Sequence, residues 1–587
     1  MAARLVPSQP LRASVVAVGL AFGVWVVVVA RLPAGAFWIT DEGNRWLQLE
    51  ALARTGAPDV GRLWDGWQTD PDGVYFPTAG HHFLRQGQRV VSFYPPYLAL
   101  LTWPAVRWLG ETALYLWPLA GLLATAALFP WLVAGLGARA RLALVASLPL
   151  VASPLLFYAC GFWEQPLATA FGSGALLALL AAVRRDRARD ALLGGLLLGV
   201  TTWLREEGYL LAAAWGVGML VAGWAERRRT SRTLAAAGLG FLAIVVPLWI
   251  VQARLWGAPF GLHTVVYASL DAAHSLRGEL GDAVAYLFAF GASPSLAALL
   301  ILLFGPALLV GSLWTRPAGA WRTVGLTLSA GGAVVALVVL LADSEPVLGT
   351  LHRQSLLPHA PILALGALSL RRRLADPEIG RRMVGWTMVL YTLGLVWLLH
   401  RGDVGVIWGP RHFLPVLPAL LALAVLAVDD ERSATLTPNQ RRLERLSIAA
   451  LLLAGLVVQI EGLRLLLLKR EAGSALLAAV REAPARAVVT DQYWLPEELA
   501  TLWGEKTFFA VDDDRGLEQV LERLRGHGEV EVLVLLSADH GPVSAAARER
   551  LAHRAIARRL VGRRGVSFLA VDGLLVRLSP KGAIDGG

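Results

Sequence analysis

The sequence holds a single cysteine, Cys160, so no intramolecular disulfide supports the fold. Charge is scarce as well. Charged residues make up 17% of 587, where a soluble chain carries roughly a quarter. The shortfall comes from long uncharged runs such as 14–30, 112–137 and 296–314. Each is long enough to cross a hydrocarbon core of ~30 Å as a helix rising 1.5 Å per residue. A helix satisfies its own backbone in lipid, so these runs are read as spans and not as strands.

A net charge of +10 raises the question of nucleic acid, and its distribution answers no. From Lys469 to the end there are 17 basic and 17 acidic residues, so the excess lies in the apolar part. There it clusters in short loops: Arg184, Arg185, Arg187 and Arg189; Arg227, Arg228, Arg229 and Arg232; Arg371, Arg372, Arg373, Arg381 and Arg382. That is the positive-inside pattern of a membrane protein, with membrane lipid as its solvent. Arg4 and Arg12 before the first apolar run suggest a signal peptide, but Arg31 and the length of the run favour an uncleaved anchor.

About thirteen transmembrane helices are expected, from 13–32 to 446–466, with the N-terminus cytoplasmic. Seven inner segments then hold 23 arginines. The short outer loops hold Arg205, Arg254, Arg277, Arg353, Arg401 and Arg411. The apolar segment 94–109 is read as an amphipathic or re-entrant helix on the outer surface, started by Pro95-Pro96. Counting it as a span would reverse the later loops. The segment 33–111 thus becomes a large outer loop of the membrane domain 1–466. Beyond it, 467–587 reads as a small α/β domain outside, with strands at 487–490, 507–511 and 530–536 and helices at 496–503 and 517–525. Arginine is used far more than lysine, which points to a high-GC bacterium and its plasma membrane.

Charged residues at the outer ends of spans carry the functional information, because placing them beside lipid is costly. Asp41-Glu42 follow the first span; they fit a general base or oxygen ligands for a divalent cation, and equally the acidic start of a helix. Glu164 opens a span beside Trp163, read as an interface-belt aromatic. Arg205-Glu206-Glu207 forms a tight charged turn, suited to phosphate recognition or to keeping a hairpin out of lipid. Arg411-His412 begins a late span after Gly409-Pro410, where a helix start with two basic groups makes an anion site. His81-His82 have no third ligand at metal spacing. Asp512-Asp513-Asp514 reads as a solvated turn and helix start, and nothing after 467 reads as catalytic.

In this order the motifs resemble the GT-C class of membrane glycosyltransferases. The likeness is to bacterial relatives of dolichyl-phosphate-mannose–protein mannosyltransferases and of the lipid A aminoarabinose transferase. It rests on Asp41-Glu42 after the first span, Tyr94-Pro95-Pro96, Glu164 two helices on, Arg205 with Gly208, and Gly409-Pro410-Arg411-His412. Two departures stand out: relatives often carry Asp at the Glu164 position and Arg-Tyr where Arg411-His412 stand. The resemblance implies a sugar donor carried on polyprenyl phosphate and an acceptor hydroxyl on a glycan, lipid or protein. It also implies Asp41 as base with Glu42 second, Glu164 orienting substrate, and Arg205, Arg411 and His412 holding the donor phosphate. Tyr94, Pro95 and Pro96 would then line the substrate groove. No cofactor is required on this reading, though Mg or Mn fits the carboxylates. A transporter or flippase is the rival; it predicts charged or helix-breaking residues near span midpoints, where this sequence is mostly apolar.

Overall fold

The structure, a computed structural model, describes residues 8–78, 82–92, 94–138, 140–151, 153–261, 286–288, 319–342, 355–399, 407–429, 437–537, 541–561 and 571–578. The expected span at 294–314 and the loop arginines Arg277, Arg353 and Arg401 lie outside the described residues. Two compact units emerge. One comprises Met1–Ala30, Tyr115–Ser344 and Gly349–Arg464; the other Arg31–Leu114, Glu345–Leu348 and Leu465–Gly587.

Among the described residues, six helices are long and apolar enough to cross a membrane: Gln9–Val29, Tyr97–Gly135, Gln165–Arg185, Trp224–Trp256, Arg411–Val428 and Pro438–Glu482. Shorter apolar helices occur at Arg141–Val151, Glu207–Ala222 and Thr323–Val338. This is a multi-pass helical membrane architecture. Large apolar side chains such as Val15, Leu239 and Leu453 stay exposed on these helices, as lipid-facing positions require.

In the first unit the helices Ala188–Leu204 and Arg227–Trp256 pack closely. The contact is made through glycine: a methyl at Gly195 would collide with the Ala237 carbonyl, and one at Gly240 with the Leu192 carbonyl. Small residues let two backbones approach where lipid supplies no hydrophobic drive. Gln165–Arg185 packs between Ala188–Leu204 and Leu116–Gly135.

The second unit is built from two stretches of chain far apart in sequence. Its early stretch contains the helix Thr40–Thr55, a hairpin of β1 (Phe83–Gln86) and β2 (Arg89–Ser92), and the helix Tyr97–Leu109. Its late stretch contributes β3 (Ala487–Thr490), β4 (Thr507–Ala510), β5 (Glu531–Ser537), β6 (Ala555–Val561) and β7 (Val571–Arg577). These form one sheet in the order β4-β3-β5-β7-β6. Strand β3 pairs parallel with β4 and β5, whereas β7 runs antiparallel to β5 and β6. The helix Asp514–Gly526 joins β4 to β5 and buries Leu517, Val520, Leu521 and Leu524, the stripe a 3.6-residue period dictates. Asp513 caps it by accepting from Gly516 N–H at 2.6 Å.

The early stretch closes the free edge of that sheet. Ala510 N–H donates to the Tyr75 carbonyl at 3.0 Å, and Trp64 Nε1 donates to Phe508 O at 2.8 Å. The Trp64 ring sits edge-on to Trp67, Phe76 and Phe509, with centroids 4.7, 5.0 and 5.7 Å away. An uncovered edge strand would present unpaired backbone groups, and here the loop takes that place. The division at 466 drawn from the sequence follows the last apolar run; the compact units follow packing, and join 31–114 to the C-terminal stretch.

Candidate functional site

Four helix ends in the first unit bring their charged residues together. Glu164 precedes Gln165–Arg185, Arg205 ends Ala188–Leu204, Glu207 opens Glu207–Ala222, and Arg411-His412 lie in the 3-10 turn Arg411–Val416 before Leu417–Asp429. Arg205 is the hub. Its Nη1 donates to Glu164 Oε1 at 2.8 Å, while Nε and Nη2 clasp the Glu207 carboxylate at 3.0 and 2.5 Å. His412 Nδ1 donates to Glu207 Oε1, and Arg411 Nε donates to His412 Nε2 at 3.3 Å. His412 Nδ1 also lies 3.3 Å from Arg205 Nη2, so the imidazole sits among a carboxylate and two guanidinium groups. Arg411 and His412 are only 7% and 9% exposed.

A second layer of hydrogen bonds holds the Arg411 turn. Tyr391 Oη donates to the His412 carbonyl at 2.5 Å, and Tyr158 Oη to the Trp408 carbonyl at 2.9 Å. Trp408 Nε1 donates to Gln459, whose amide in turn donates to His359 O. Trp163, expected as an interface aromatic, is instead buried, edge-on to Tyr158 with centroids 5.1 Å apart. Its neighbour Tyr158 belongs to the network that positions the turn, which is why the ring packs inward. Gln165 is fully buried, and both polar atoms of its side chain lack a hydrogen-bond partner among the described residues.

The other sequence candidates lie in the second unit. Asp41 and Glu42 sit in the first turn of Thr40–Thr55. Glu42 accepts from Trp38 N–H, in the chain leading into the helix, at 2.5 Å and pairs with Arg470 Nη2 at 3.0 Å. Tyr94 is tied to the same helix: its carbonyl accepts from Gln48 at 2.7 Å, and the Arg45 guanidinium lies 4.7 Å from its ring centre. Pro95 and Pro96 follow, and the helix Tyr97–Leu109 begins directly after Pro96.

Sequence reasoning missed what surrounds Asp41 and Glu42. The short helix Leu495–Glu498 packs against Thr40–Thr55 so closely that a methyl at Gly43 would overlap the Glu497 carbonyl. Its two carboxylates are each paired. Glu498 takes Lys469 at 2.5 Å; Glu497 takes His82 Nδ1 at 2.9 and 3.0 Å and Asn44 Nδ2 at 3.1 Å. Burial raises the pKa of both acids. Burial alone would lower that of His82, but Glu497 outweighs it and Asp41 adds to Glu497, so the imidazole holds its proton more tightly than usual. Glu207, named from the sequence only as part of the charged turn after Arg205, was given no role of its own.

Of the three carboxylates considered as cation ligands, Asp41, Glu42 and Glu164, two form ion pairs: Glu42 with Arg470 and Glu164 with Arg205. Among the described residues no group of three or more His, Cys, Asp or Glu side chains forms a metal-binding cluster.

Long apolar helices with buried charges gathered at their ends make a multi-pass helical membrane fold. Among solved structures, the Archaeoglobus fulgidus oligosaccharyltransferase tethered to an acceptor peptide containing the NVT sequon is similar at TM-score 0.50 and 13% identity, over 90% of this chain and 69% of that one. ArnT from Cupriavidus metallidurans, bound to undecaprenyl phosphate, is similar at TM-score 0.48 and 15% identity, over 98% of this chain and 99% of that one. No protein-family model and no curated protein matches the sequence.

Proposed function

We propose that this protein is a glycosyltransferase that moves a sugar from a polyprenyl-phosphate-linked donor to an acceptor hydroxyl at the outer face of a bacterial plasma membrane. The observation that carries the reading is the gathering of Glu164, Arg205, Glu207, Arg411 and His412 at helix ends in the apolar unit. So many buried charges at span ends are costly unless they serve a polar substrate. The buried Gln165 side chain, without a protein partner among the described residues, supports the same reading, since a donor headgroup would satisfy it.

Arg205 holds two carboxylates and acts as the positioning centre of the site. Phosphate capture is assigned to Arg411, at the start of an apolar helix with His412 beside it. Glu164 orients the donor sugar, and Asp41 takes the proton of the acceptor hydroxyl. The acceptor oxygen attacks the anomeric carbon and polyprenyl phosphate leaves.

Arg411→Ala tests the phosphate role in a transfer assay with a polyprenyl-phosphate sugar. A lost charge-assisted bond is worth about 1.5–3 kcal/mol, so the donor KM should rise on the order of ten- to a hundredfold with kcat little changed. An unchanged KM with a reduced kcat would instead place Arg411 at the reacting centre and refute phosphate capture.

A further inference from the structure

The mechanism above leaves a buried carboxylate–imidazole pair unused. Glu497 has no exposed surface, and both its oxygens lie within 3.0 Å of His82 Nδ1, with Asn44 steadying one of them. The side chain of His82 keeps 15% of its surface exposed. Glu497 on Leu495–Glu498 bonds both His82 and Asn44, and Asn44 stands one turn after Asp41 on the helix Thr40–Thr55; Asp41 raises the basicity of the imidazole, and the rings of Tyr94 and Tyr493 lie 6.4 Å from it. A carboxylate that fixes one ring nitrogen of a histidine orients the other for proton transfer, the logic of a base and its orienting acid. One end of this pair is closed off in protein and the other reaches the surface.

We propose that His82, held by Glu497, takes up the proton that Asp41 draws from the acceptor and delivers it toward solvent, a role that rests on the glycosyl transfer proposed above. In the transfer step the acceptor O–H bond breaks and its proton goes to the Asp41 carboxylate. The oxygen forms the new bond to the anomeric carbon, and the old anomeric C–O bond breaks with its electron pair on polyprenyl phosphate. The proton then passes from Asp41 to Nε2 of a neutral His82, whose Nδ1–H remains on Glu497. Asp41 returns to its ionised form, ready for another acceptor. His82 touches no substrate in this scheme and is a relay residue.

A mere clamp between the hairpin and the C-terminal helix would show none of the following behaviour. In full-length protein, His82→Ala should lower kcat about ten- to a hundredfold, less than loss of a primary base, with the donor KM unchanged. Added imidazole should restore part of that loss. His82 must be neutral to accept a proton, so kcat rises with pH through its pKa, which lies above the ordinary 6.5. Glu497→Gln keeps an oxygen for Nδ1–H but removes the charge, so this acid limb should move down by about one pH unit or more. Labelling of His82 by diethyl pyrocarbonate, read by mass spectrometry, should move the same way without depending on turnover. Wild-type kcat in His82→Ala, or an unmoved limb and labelling profile in Glu497→Gln, overturns the relay alone. Absence of sugar transfer by the wild-type protein, with labelling behaving as described, overturns the glycosyltransferase reading and the relay with it.

Discussion

Asp41→Asn, in correctly inserted full-length protein, is expected to lower kcat for the proposed sugar transfer by about 10²–10⁴-fold and to leave the donor KM within a few-fold of wild type. The substitution nearly preserves shape, and the bond from Arg45 Nη1 to residue 41 uses the backbone carbonyl, at 2.8 Å. The first turn of Thr40–Thr55 therefore stays in place, and what is lost is the ability to hold a proton. Steady-state kinetics with a polyprenyl-phosphate sugar check this, and near-normal turnover would remove Asp41 as the base. Glu42→Gln provides the contrast. Glu42 has no exposed surface and is committed to Trp38 N–H and Arg470, so its amide leaves a buried guanidinium short of its counter-charge. Its effect should appear first in thermal stability.

Arg205→Met carries the second large effect, on stability. The guanidinium neutralises Glu164 and Glu207 at once, with a side chain 12% exposed. A neutral residue leaves two buried carboxylates, and breaking a buried pair from one side costs about 3–5 kcal/mol. The expected result is a clear fall in the unfolding temperature in detergent or nanodiscs, with loss of transfer activity. Arg205→Lys should recover only part, because an ammonium cannot match the two-pronged contact with Glu207. An unfolding temperature within about 1 °C of wild type would mean that the cluster does not hold these helix ends together.

The members of the first-unit cluster were legible because charge is rare in this chain and costly beside lipid. Glu164, Arg205, Arg411 and His412 stand out from their apolar surroundings by contrast alone. Glu207 escaped because Glu206 is its neighbour, and the sequence does not say which of the two turns toward Arg205. The multi-pass helical fold was legible too, from its long apolar runs and the motifs at their ends. The surroundings of Asp41 were not. Asn44 meets Glu497 across 453 positions, Glu42 meets Arg470 across 428 and His82 meets Glu497 across 415. No local pattern announces such a partner. Glu497 and Glu498 lie in a segment that the sequence marks only as a helix, 496–503, and nothing there says that Gly43 admits their backbone. Strands β3, β4 and β5 could be read from their apolar runs, but not β6 and β7, nor that Tyr75 and Trp64 would cover the outer edge of the sheet.

The joining of residues 31–114 to the stretch after Leu465 has a consequence for biosynthesis. Trp64 cannot find Phe508 and Phe509, nor Glu42 its Arg470, until nearly the whole chain has left the ribosome. At roughly 5–20 residues per second, Asp41 and the aromatic cage around Trp64 wait on the order of half a minute to a minute and a half for their partners. A nascent or prematurely terminated chain exposes these tryptophans and unpaired acids together. Quality control therefore has a marker of incompleteness at the beginning of the polypeptide, and a chain cut anywhere before Arg470 cannot mature its Asp41 turn.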